Sequence, residues 1–100
     1  MARGEVFIDK QDILVLESFP PQFRLVLAGS LPTPCHQLRV QVSDPDAQNR
    51  ILVEVYSLVD PDQACIQVLE PFEVSVPLGS FASGEFTVLV NGQEIGQIKP

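Results

Sequence analysis

The stretch Leu31-Pro32-Thr33-Pro34-Cys35-His36-Gln37 sets the chain's only histidine beside one of its two cysteines. A thiol next to an imidazole could be a nucleophile with its base, or two ligands of a metal ion. Spacing argues against both. A catalytic base must be oriented towards the sulfur, and neighbours on an extended chain point to opposite sides. A structural zinc site takes four ligands, usually with paired cysteines two to four residues apart. Here the second cysteine, Cys65, lies far downstream.

A disulfide between Cys35 and Cys65 suits the pattern better. Residues 37–43 and 50–58 read as a hairpin, which places residue 36 near residue 57 at its open end. Cys65 follows a few residues later, after Asp60-Pro61-Asp62-Gln63-Ala64. A bridge there staples the start of the hairpin to the loop that leaves it. Two buried free thiols are the alternative. A lasting disulfide implies an oxidising compartment.

Asp44 and Asp46, and again Asp60 and Asp62, form an Asp-Pro-Asp element. Calcium needs six to eight oxygens, and the first element lacks the glycine and closing glutamate of an EF-hand loop. Asp-Pro is also a common way to begin a turn. We read both as structural turns at opposite ends of strand 50–58, with a weak calcium site as the alternative. The other acids are scattered, His36 is the only candidate imidazole base, and Gly79-Ser80-Phe81-Ala82-Ser83-Gly84 precedes a strand and not the helix a phosphate loop requires. The sequence therefore names no catalytic residue, metal ligand or cofactor, and a non-enzymatic role is expected.

The elements that must position these residues are strands. Amphipathic helix periodicity is nearly absent, and period-two alternation recurs between Pro, Gly, Asn and Asp punctuation. In 37–43, Leu38, Val40 and Val42 alternate with Gln37, Arg39 and Gln41; in 50–58, Ile51, Val53 and Val55 alternate with Leu52, Glu54 and Tyr56. Phe72, Val74 and Val76 alternate likewise, as do Phe86, Val88 and Val90. Asn91-Gly92 supplies the two positive φ angles of a type I′ hairpin turn. That turn sets Val90 opposite Gln93 and Val88 opposite Ile95. Upstream, 4–9, 12–18 and 22–29 are strand candidates, the last two apolar on both faces and separated by Pro20-Pro21, which cannot donate to a ladder. About seven or eight short strands in one domain make an antiparallel immunoglobulin- or fibronectin-like β-sandwich. A small barrel is the runner-up.

Leu14, Leu16, Val26, Leu52, Tyr56 and Leu89 fall opposite the better-defined core positions, so they form a candidate interaction surface for a protein partner or a neighbouring domain. The net charge of −7 and the scattering of the six basic residues disfavour nucleic acid as a partner. No apolar run approaches the ~18 residues of a membrane-spanning helix, so direct membrane insertion is not expected. The first ten residues lack a signal-peptide core; either the protein is cytosolic or its export signal lies outside this sequence.

Several motifs together resemble a small β-sandwich domain associated with bacterial exported proteins and lipoproteins. They are Glu17-Ser18-Phe19-Pro20, then Leu31-Pro32 with Cys35, then Cys65 followed by Pro71-Phe72-Glu73 with Val76 and Leu78, and finally Gly84, Phe86, Val88, Val90, Asn91 and Gly92. The resemblance spans about three quarters of the chain and marks a fold without an assigned function. It implies an extracytoplasmic protein, of the cell envelope or secreted. Its role would be that of a binding or structural module. A small protease inhibitor presenting a proline-stiffened loop, 30–36 or 60–71, is the alternative.

Overall fold

Each strand buries every second side chain, because successive residues of an extended chain face opposite ways. The computed structural model describes residues 1–100 and contains eight strands and no helix. They are β1 (Ala2–Gly4), β2 (Phe7–Leu16), β3 (Gln22–Leu31), β4 (Gln37–Val42), β5 (Arg50–Val59), β6 (Glu70–Ser80), β7 (Phe86–Val90) and β8 (Gln93–Ile98). β2, β3 and β6 form one sheet in that order, and β1, β4, β5, β7 and β8 form the other. Both sheets keep open edges, which excludes the barrel.

From the three-stranded sheet, Phe23, Leu25 and Leu27 face Ile51, Val53, Val55, Val88, Val90 and Ile98 of the other layer. Each of these fully buried aliphatic or aromatic side chains stabilises the fold by about 1.5–3 kcal/mol relative to exposure. Phe81 bridges Phe23 and Phe86, with ring centroids 6.1 and 4.4 Å away, and closes one end of the core. Ser57 is fully buried, and its hydroxyl donates to the Glu5 carbonyl at 2.8 Å, which removes the penalty of burying it.

β5 is the axis of the larger sheet. β4 lies along one of its edges through Val42↔Val53 to Gln37↔Leu58. The other edge is shared: β7 takes Arg50 to Val53, and β1 takes Ser57 to Val59. Between them the side chain of Asn91 fills the gap. Its Oδ1 accepts from the Val55 N–H at 2.8 Å, and its Nδ2 donates to the Val55 carbonyl at 3.1 Å. One carboxamide thus stands in for a missing ladder residue. The backbone at Asn91 and Gly92 has φ of 51° and 84°, as the hairpin turn requires.

The sandwich agrees with the sequence expectation, and three details correct it. The candidates 4–9 and 12–18 are largely one strand, β2, carried past Asp9 by a bulge between Ile8 and Lys10. Gly29 makes this possible: a Cβ there would lie 1.9 Å from the Phe7 carbonyl oxygen, so only glycine lets β3 approach that closely. In the β7–β8 hairpin Val90 does oppose Gln93, but a bulge then sets Val88 against Gly96 instead of Ile95. The pairing is also not antiparallel throughout, since β5 and β7 run parallel. A parallel pair needs a long crossover, and β6, lying in the opposite sheet, supplies it.

Candidate functional site: outward faces and a clamped loop

The Cys35-His36 stretch is a tight turn between β3 and β4. Thr33 is buried, and its hydroxyl accepts the Cys35 N–H at 3.2 Å and lies 2.9 Å from His36 Nδ1. The His36 N–H donates to the Thr33 carbonyl at 3.2 Å. The imidazole lies where a Cβ on Gly4 would stand, 2.7 Å from its ring carbon. His36 therefore wedges between the turn and β1. Cys35 is bonded to Cys65, with Cα atoms 6.1 Å apart. The two most reactive side chains of the chain are thus both parts of one structural joint.

The acidic turns are built in the same local way. Asp46 Oδ1 accepts the N–H groups of Gln48 and Arg50, both at 2.9 Å, and Oδ2 takes the Arg50 guanidinium at 2.9 Å. The Arg50 backbone N–H, foremost among these contacts, holds the Asp46 carboxyl below the usual carboxylate range. Asp60 Oδ1 accepts the Asp62 N–H at 3.0 Å, and the Asp60 carbonyl accepts the Gln63 N–H at 3.1 Å. The elements lie at opposite ends of β5, so their carboxylates do not converge.

The structure divides the six candidate surface residues between two opposite faces. Leu14 pairs with Arg24, and Val26 with Asp12, on the outer side of the three-stranded sheet; Leu16 pairs with Gln22 along the same side. Leu52 pairs with Leu89 on the outer side of the other sheet. Tyr56 shares that side but is roofed by Arg3, whose guanidinium lies 4.0 Å from the ring centre and also pairs with Glu54. Strand alternation assigns a residue to a face of its own strand; it does not say which sheet the strand joins. Leu52 and Leu89 line an open depression of about 560 Å³ together with Gln41, Glu54 and Gly92.

Sequence reasoning placed residues 64–69, the approach to β6, inside the candidate loop 60–71 and gave them no strand character of their own. Ile66, Val68 and Leu69 are 67%, 50% and 61% exposed. No strand, helix or turn is formed there, and none of the backbone–backbone hydrogen bonds outside the ladders involves these residues; the Cys65 carbonyl accepts the Gln67 side-chain amide at 3.4 Å. Their β-prone, partly alternating composition was the available signal. It reads as a continuation of β6, and only the structure shows that no neighbouring strand covers it.

Compared with known families, the chain matches the model of the ORF11 beta-sandwich domain over residues 25–99. This covers most of β3 and everything through β8. No curated protein and no solved structure matches the chain.

Proposed function

The chain belongs to the ORF11 beta-sandwich domain family, and from that premise we propose that it is a non-enzymatic binding or structural module of a bacterial cell-envelope or secreted protein. The carrying observation is that apolar side chains are held outward on rigid strands, with Leu14 46% and Leu52 45% exposed. Rigid elements present such side chains without an ordering cost, as a docking face does. The use of Cys35 and His36 as structural parts supports the non-enzymatic reading. The Cys35–Cys65 bond is compatible with an oxidising, extracytoplasmic site.

Leu14→Lys and Leu52→Lys test this. Both replace outward side chains, so the urea midpoint should move by no more than about 0.5 kcal/mol equivalent. Proteins that co-purify with the wild type from its own host should be lost from at least one variant. Unchanged co-purification with both would refute the reading.

The second reading, a protease inhibitor, gains support at 60–71, where the loop is exposed and tethered by Cys65. It loses support at 30–36, where Leu31 and Thr33 are buried. An inhibitor would block a member of a protease panel at stoichiometric concentration.

A further inference from the structure

We propose that segment 64–69 is a recognition strand, which pairs through its backbone with a strand of a partner protein whose apolar core is flanked by lysine or arginine. This deepens the binding-module reading and rests on it. β3 ends at Leu31, paired with Glu70, the first residue of β6. Beyond Leu31 the chain turns through Pro32 and Pro34, which cannot donate to a ladder. The residues before Glu70 therefore have no strand left to pair with. Cys65, joined to Cys35, fixes the segment at one end, and β6 fixes it at the other. Immobilising both ends lowers the entropy lost when a partner strand pairs with it. The backbone groups of residues 66–69 give such an interface its affinity, and side chains at alternate positions give it selectivity.

Charge decides the occupant. Asp60 and Asp62 precede the segment, Glu70 and Glu73 follow it, and no basic residue occurs between Arg50 and Lys99. A second copy of this chain is accordingly the wrong partner. In an antiparallel pair each copy's Asp60 and Asp62 meet the other's Glu70 and Glu73; in a parallel pair like flank meets like. Same-sign charges opposite one another destabilise a ladder. A basic-flanked strand turns the same four carboxylates into attraction.

The test uses the disulfide-intact protein and three short synthetic peptides of alternating valine and threonine. One carries lysines at both ends, one carries glutamates, and one is the lysine peptide N-methylated at alternate positions. The lysine peptide should slow amide exchange at residues 65–69 and bind at least about 10-fold more tightly than the glutamate peptide, with the difference shrinking as salt screens the flanks. N-methylation, Ile66→Asp and Val68→Asp should each remove binding. These two side chains lie outside the ladders, so thermal melts should match the wild type. Equal binding of all three peptides, no protection at 65–69, or concentration-dependent self-association through this segment would overturn the proposal. Loss of co-purification in the Leu14 or Leu52 variants alongside any of these results would leave the module reading standing without it.

Discussion

Replacing Asn91 by glycine should cost the fold far more than the same change at Asn49. Both residues have positive φ, 51° and 56°, so glycine suits either backbone and carries a similar entropic penalty. They differ in what the side chain does. The Asn91 carboxamide makes both bonds to Val55, at 2.8 and 3.1 Å, on the β5 edge that neither β1 nor β7 reaches. No side-chain hydrogen bond involves Asn49; only its backbone is engaged, with Asp46 and Thr87. Each lost bond is worth about 0.5–1.5 kcal/mol net, and a donor or acceptor left dry costs about 1–3 kcal/mol. We therefore expect Asn91→Gly to destabilise by about 1–3 kcal/mol more than Asn49→Gly. For a domain of this size each kcal/mol corresponds to about 4–8 °C in Tm. Paired urea titrations give the difference, and amide exchange at Val55 should accelerate in Asn91→Gly alone. If the two variants agree within about 0.5 kcal/mol, Asn91 is only a turn residue and the bridging argument fails.

Gly29→Ala should prevent folding or cost more than about 3 kcal/mol, because its Cβ would meet the Phe7 backbone oxygen at 1.9 Å; Gly96→Ala, facing only the flexible tip of Ile13 at 3.1 Å, should be much milder, as far-ultraviolet circular dichroism and urea midpoints will show. Reduction should add 2 Da to the intact mass, and Cys35→Ser with Cys65→Ser should lower stability by about 3–4 kcal/mol for a loop spanning a separation of 30 residues. The Asp46 carboxyl titrates below its ordinary value of 3.8 in the folded state. Its contribution is thus present above the unfolded value and lost as the pH falls through the lower folded one. Asp46→Asn should flatten the loss of stability between neutral pH and acid, measured by unfolding at a series of pH values; an unchanged slope would show that the carboxylate's bonds do not stabilise the turn.

Strand identity was legible because burial alternates with period two, and the β4–β5 hairpin, the Asn91-Gly92 turn and the cysteine pair all follow from local pattern. Bulges were not, since one extra residue at Asp9 or near Ile95 leaves the alternation on either side intact. Gly29 and Gly96 were the traces of these two, and a strand glycine has several meanings. The parallel β5–β7 contact was hidden for another reason: it depends on which sheet β6 joins, a long-range choice that no window of sequence contains. The same ignorance merged two outward faces into one candidate surface. The second duty of Asn91 escaped notice because its first, the turn, already accounted for its presence.

The shared edge of β5 also governs when this domain can become a domain. Ala2–Gly4 and the stretch from Phe86 to Asn91 complete the same strand from opposite ends of the chain. On a ribosome, β1 to β6 would emerge with the part of that edge met by β7 still bare and Val55 unmet, and the larger sheet could not close until residue 91 had cleared the exit tunnel. Pairings of such wide sequence separation form slowly, and an unpaired apolar edge is vulnerable to aggregation while it waits. A chain built this way stays threadable until its last hairpin is made.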